Sequence, residues 1–208
     1  MQIMMIVALI ISVIIHEMAH GYAANWLGDP TARLAGRLSA NPLVHLDPMM
    51  SVILPALLVV TGSPLLFGAA KPVPYNPYNL TNQKWGEAIV AFAGPAANLI
   101  IALVFAILVR NAELLQLSQT FVILAFQIIV LNIFLAFFNL VPIPPLDGSK
   151  ILPKFLPFSL AMKYENLRRV LEQNVMMAFG IVILVFVFVL AEPIHWVTFE
   201  LVKILVGF

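Results

Sequence analysis

The stretch Ile14-Ile15-His16-Glu17-Met18-Ala19-His20-Gly21 decides how the chain is read. It lies inside a long apolar run, and Glu17 is the only formally charged residue before Asp29. Residues four apart share one face of a helix, about one turn from each other, so His16 and His20 point the same way. Two neutral imidazoles so placed can hold a divalent metal, and zinc is the usual occupant of that geometry. Glu17 follows the first histidine directly and can reach the water that a catalytic zinc keeps in its open position. A five-residue motif also arises by chance on ordinary helices. In a membrane helix, however, two histidines and a carboxylate cost free energy unless they serve a purpose, so function is the default reading.

The membrane assignment rests on composition. The chain has 208 residues, 62% hydrophobic and 10% charged, with a mean hydropathy of +1.01. Soluble domains carry about 25% charged residues, so this is an integral membrane protein. Its length suits a single domain over 1–208, with a catalytic core over about 1–150 and C-terminal helices over 175–208. A net charge of +1 gives no support to a nucleic-acid partner. The chain has no cysteine, so a protein metal site must use His, Asp or Glu, and there are only four histidines: His16, His20, His45 and His195. The first apolar run lacks a basic leader and continues straight into the histidine turn. It therefore reads as a retained helix rather than a signal peptide.

Outward from that helix the pattern predicts an all-α polytopic membrane protein. The first span runs from 2 to about 26 and stops at Gly28-Asp29-Pro30. The mixed stretch 31–48 suits short β-strands or a hairpin. Residues 49–70 are apolar but broken by Pro55, Gly62 and Pro64, which suits a re-entrant or short segment. A proline-rich extended stretch, KPVPYNPYNL, follows. Full spans are expected at 87–110, 119–141 and 175–191, giving four in all, and the tail after Pro193 has the spacing of an interfacial helix. The segment 148–174 is the most charged of the chain.

A catalytic zinc normally has three protein ligands plus water. Asp147 is the leading third candidate, because it follows a full span and the run Pro142-Ile143-Pro144-Pro145. Such a run does not form regular helix and holds a carboxylate at a fixed depth. His45 and Asp47 are rivals, although a polar surface turn explains both. His195, between Pro193 and Trp196, reads as interfacial. Asn98 and Asn139 are polar side chains within spans. They suit either substrate binding and oxyanion stabilisation or plain interhelical hydrogen bonding.

Three ordered motifs resemble the site-2 protease family of intramembrane zinc metalloproteases. They are His16-Glu17-x-x-His20, Gly94-Pro95-x-x-Asn98, and Asn139-x-x-Pro142-x-Pro144-x-x-Asp147-Gly148. The stretches FGAAKPVPYNP and NPLVHLDP are similar to loops of its compact prokaryotic members, and the resemblance covers roughly residues 8–150. It implies His16, His20 and Asp147 as ligands of one Zn²⁺ per chain, with Glu17 as catalytic base. It also implies hydrolysis of peptide bonds within or next to transmembrane segments of protein substrates, as in regulated intramembrane proteolysis. No PDZ or CBS domain is expected, nor a span before the catalytic helix.

Topology is an independent check. A metal shared by His16, His20 and Asp147 requires an even number of crossings between them, which the two middle spans supply. With the N-terminus outside, nine of the eleven Lys and Arg fall inside, as the positive-inside rule expects. The expected setting is a prokaryotic cell membrane with the site toward the cytoplasm. A catalytically silent binding factor and a metal transporter are the alternative readings, and association of the chain with itself is left open.

Overall fold

The computed structural model describes residues 2–45 and 71–207. Among the described residues, four helices are long and apolar enough to cross a membrane: Ile3–Trp26, Gly86–Arg110, Gln119–Asn139 and Val175–Val206. We label the helices α1 (Gln2–Trp26), α2 (Thr31–Leu34), α3 (Gly86–Arg110), α4 (Gln119–Asn139), α5 (Gly148–Ile151), α6 (Phe158–Gln173), α7 (Val175–Val185) and α8 (Ala191–Val206).

Helix α3 is the hub, packing against α1, α4, α5 and α8. Its inner face carries Ala88, Ala91, Gly94, Ala102 and Ala106, all buried. Small residues let helix backbones approach closely where lipid offers no hydrophobic drive to associate. Ala102 and Ala106 accordingly meet Ile129 and Ile133 of α4 and Val202 of α8 in one buried cluster. Ile89, Phe92, Ile100, Val104 and Ile107 of the same helix stay exposed, as a lipid-facing surface requires. A buried hydrogen bond from Asn132 to Ser12 Oγ, 3.0 Å, ties α4 to α1.

No strand occurs among the described residues, which corrects the expected small β-strands. Residues 31–45 instead form α2 and a 3-10 turn, Pro42–His45, and residues 71–76 run extended without a ladder. Side chains do the work that a ladder would do. Asp29, fully buried, accepts hydrogen bonds from Thr31 Oγ1 (2.5 Å), Asn76 N–H (2.6 Å) and Asn79 Nδ2 (2.9 Å). Arg37 likewise donates to the backbone carbonyls of Val44, Lys71 and Pro72, stitching the two stretches together. The expected short apolar segment 49–70 and the rival ligand Asp47 lie outside the described residues.

The C-terminal span is longer than its hydropathy suggests. A π turn, Phe186–Leu190, joins α7 to α8, immediately before Pro193, whose missing N–H interrupts regular helical bonding. The helix then continues, burying Ile194, Thr198 and Val202, rather than lying on the surface as an interfacial tail. Its end meets the end of α3, where Arg110 donates to the Ile204 carbonyl at 3.2 Å. Arg110 and Lys203, the two basic residues outside the main basic group, thus share the opposite end of the bundle. At the other end Glu87 of α3 accepts from Arg168 (2.8 Å) and pairs with Lys154 (3.3 Å), fixing the charged helix α6 beside it.

Burial opposes ionisation of Asp29, but the hydrogen bonds from Thr31, Asn79 and Asn76 outweigh it and hold the carboxyl below its usual range. Asp29→Ala leaves these donors without an acceptor and should destabilise the fold by about 2 kcal/mol, read as a lowered Tm in detergent. Because the folded pKa is the depressed one, this contribution is full above the unfolded value of about 3.9. The gap between wild type and variant should therefore close as pH falls through the folded pKa.

Candidate metal centre

The two histidines of α1 face α3, and each is held by its Nδ1. His20 Nδ1 donates to the Val90 carbonyl at 2.7 Å. His16 Nδ1 donates to Asn98 Oδ1 at 3.3 Å. Val90, Gly94 and Asn98 succeed one another at helical spacing on α3, so the two anchors flank a glycine. A Cβ on Gly94 would lie 2.5 Å from His20 Nε2 and 2.6 Å from His16 Cε1. The rings occupy the space a side chain would need, and they stand perpendicular with centroids 4.6 Å apart.

Asp147 reaches the same point from a different segment. The chain after α4 turns through Val141–Leu146, with Val141 and Leu146 packed on Val182 and Ile194 of the last span. Gly148 follows, where a Cβ would collide with the Leu140 and Val141 carbonyls. That turn delivers Asp147 Oδ2 to 3.1 Å from His16 Nε2 and 3.4 Å from His20 Nε2. The two Nε2 atoms are themselves 3.1 Å apart.

The donor set fits a cation. With both Nδ1 atoms donating their protons to α3, both Nε2 atoms carry lone pairs. Two lone pairs and a carboxylate oxygen then converge in a buried place, His16 at 7%, His20 at 9% and Asp147 at 8% exposure. Such a triangle repels itself unless a positive charge sits at its centre. Ligands of tetrahedral zinc, at bonds of 2.0–2.2 Å, stand about 3.3–3.6 Å from one another, close to the spacing found. A proton on the His16 or His20 ring also supplies such a charge, and it outweighs burial to keep the Asp147 carboxyl below its usual range. The ionised form is the one that ligates.

Beside the triangle lies a cavity of about 120 Å³ bordered by Glu17, Val73, Tyr75, Asn139 and Lys150 as well as the three candidate ligands. Glu17 Oε2 accepts the Val73 N–H at 3.0 Å, so the extended stretch 71–76 aims this carboxylate. Asn98 and Asn139 are not equivalent. Asn98, 1% exposed, stands behind His16, while Asn139 borders the cavity with its Nδ2 bonded to its own helix at Leu135. The rival His45 is buried elsewhere against the Ser39 carbonyl, and His195 packs on Phe199. Sequence reasoning missed Tyr75 and Lys150. The available signal was the one-turn spacing of Lys150 from Asp147.

Comparison with known proteins supplies the family. The model of peptidase family M50 matches residues 4–115 and 107–187. The chain belongs to peptidase family M50. It is 38% identical over 159 residues to the Bacillus subtilis protein named "Putative zinc metalloprotease YwhC", covering 74% of this chain and 69% of that one. The Mycolicibacterium smegmatis protein named "Putative zinc metalloprotease Rip2" is 34% identical over 154 residues, or 70% of this chain and 54% of its own length. The archaeal "Putative zinc metalloprotease MJ0611" of Methanocaldococcus jannaschii is 41% identical over 103 residues, 47% of this chain and 50% of its own. The chain thus spans about half the length of the last two M50 relatives. No solved structure gives a significant match.

Gly94→Ala tests the contact on which the ligand geometry depends. The added methyl should push both imidazoles off position and cut zinc retention of the purified protein at least about tenfold, since displaced supporting groups cost 10–100-fold in affinity. Helical content by circular dichroism should change little.

Proposed function

We propose that this M50 member is an intramembrane zinc metalloprotease that cleaves transmembrane segments of other proteins near the cytoplasmic face. The carrying observation is the convergence of three lone-pair donors beside a carboxylate, Glu17, that is aimed into the same cavity. His16, His20 and Asp147 would hold one zinc per chain, beside the cavity that Glu17 borders. Bound zinc supplies Lewis acidity to a water and to the scissile carbonyl. The remaining chemistry belongs to the chain. Glu17, held through Oε2 by Val73, has its other oxygen available to take a proton from the attacking water and return it to the leaving amine. Asn98 fixes the His16 tautomer and ring plane, and the Val90 carbonyl does so for His20.

A transmembrane substrate hides its carbonyls in helical hydrogen bonds and must be unwound to react. The extended stretch 71–76, whose Pro72, Val73 and Tyr75 border the cavity, can receive an unwound segment through its backbone. Orientation follows from charge. The candidate centre lies at the bundle end that carries Lys150, Lys154 and Arg168, and the positive-inside rule supports a cytoplasmic side for that end.

The test uses protein purified in detergent and a fluorogenic transmembrane peptide. Wild type should bind about one zinc per chain, and His16→Ala and Asp147→Ala should each lose it. Glu17→Gln should keep its zinc while cleavage falls at least about a hundredfold, the scale of general-base contributions. Cleavage undiminished in Glu17→Gln would point to a binding or transport role instead.

A further inference from the structure

The cavity beside the candidate metal centre is bordered by a cation with no carboxylate partner. Lys150 lies one turn after Asp147, its N–H bonded to the Asp147 carbonyl at 2.9 Å, and its half-buried side chain borders the cavity. The ammonium sits 5.3 Å from the centroid of the Tyr75 ring, a cation–π distance. The neighbouring bases are differently placed, since Lys154 and Arg168 both pair with Glu87. Among the described residues no ion pair uses Lys150.

With no carboxylate at ion-pair distance, the ammonium keeps N–H donors for an anion that arises in the cavity. Peptide hydrolysis generates an anion at this place. As the water oxygen bonds to the scissile carbon, the carbonyl π pair moves onto its oxygen, and the water proton goes to Glu17. When the C–N bond breaks, the C=O reforms and the Glu17 proton leaves with the amine. The transient oxyanion needs a hydrogen-bond donor already in place. Asn98 stands behind His16 and does not border the cavity, while Asn139 does and commits one of its two amide N–H groups to the Leu135 carbonyl at 2.9 Å; Lys150 brings a charged donor, the stronger kind. Resting on the proteolytic reading above, we infer that Lys150 is a catalytic residue whose ammonium donates to the oxyanion at the scissile carbonyl, steered by the Tyr75 ring. Lys150 keeps its proton throughout and stabilises charge without transferring it.

The experiment compares zinc-loaded wild type with Lys150→Met, which keeps the length and apolar stem, and Lys150→Arg, which restores the charge. On the transmembrane peptide, Lys150→Met should lower kcat by about 10²–10³-fold, the usual cost of one oxyanion donor. KM and zinc content should be unchanged, and Lys150→Arg should recover at least about tenfold. A second arm measures binding of a phosphinic peptide, whose anionic oxygens stand for the oxyanion. Lys150→Met should weaken it about a hundredfold relative to wild type while binding the parent peptide equally well. A Lys150→Met kcat within about threefold of wild type overturns the inference, as do equal phosphinate affinities, or a loss that appears only in zinc content or KM. Wild type that cleaves no better than Glu17→Gln refutes the proteolytic reading itself, a result separate from an unaffected lysine variant.

Discussion

Everything at the centre depends on where two imidazole protons go. Both Nδ1 atoms are drawn to α3, one by a backbone carbonyl and one by an asparagine oxygen, and this turns both Nε2 lone pairs toward Asp147. The arrangement is electrostatically unfavourable until a cation joins it, so the geometry suits a bound metal. Gly94 makes this possible by letting the rings sit against the α3 backbone. The small-residue face of α3 therefore serves two ends along one helix. Alanines farther along it close the contact with α4 and α8, and the glycine admits the two imidazoles.

Around this centre the polar chain is organised by buried side chains instead of regular backbone ladders. Asp29 gathers the end of α1, the start of α2 and the turn at 76–79. Arg37 binds the 31–45 stretch to residues 71 and 72. Together they bring the extended segment to Glu17. Glu17 and the two imidazoles are thus held by separate supports, Glu17 by residues outside the spans and the imidazoles by α3.

Much of this was legible in the sequence, for identifiable reasons. Histidines at a spacing of four inside an apolar run announce themselves because the membrane makes them costly. Asp147 stands out because prolines stop the helix just before it. Strands at 31–48 were expected from mixed polarity, a pattern that does not distinguish a ladder from a backbone satisfied by Asp29 and Arg37. By hydropathy the final span ends early, because Glu192, Pro193 and His195 interrupt it. The packing of Ile194, Thr198 and Val202 that carries it onward is visible only in three dimensions. Lys150 was invisible for a similar reason, since a lysine in a basic segment looks like surface until a cavity is found beside it.

The bond from Val73 to Glu17 comes from the main chain. Any residue except proline offers the same N–H, so the side chain at position 73 is not needed to aim the carboxylate. A set of related sequences could therefore vary there and still keep the contact. Part of what positions this carboxylate leaves no signature in residue identity, only in the path of the backbone.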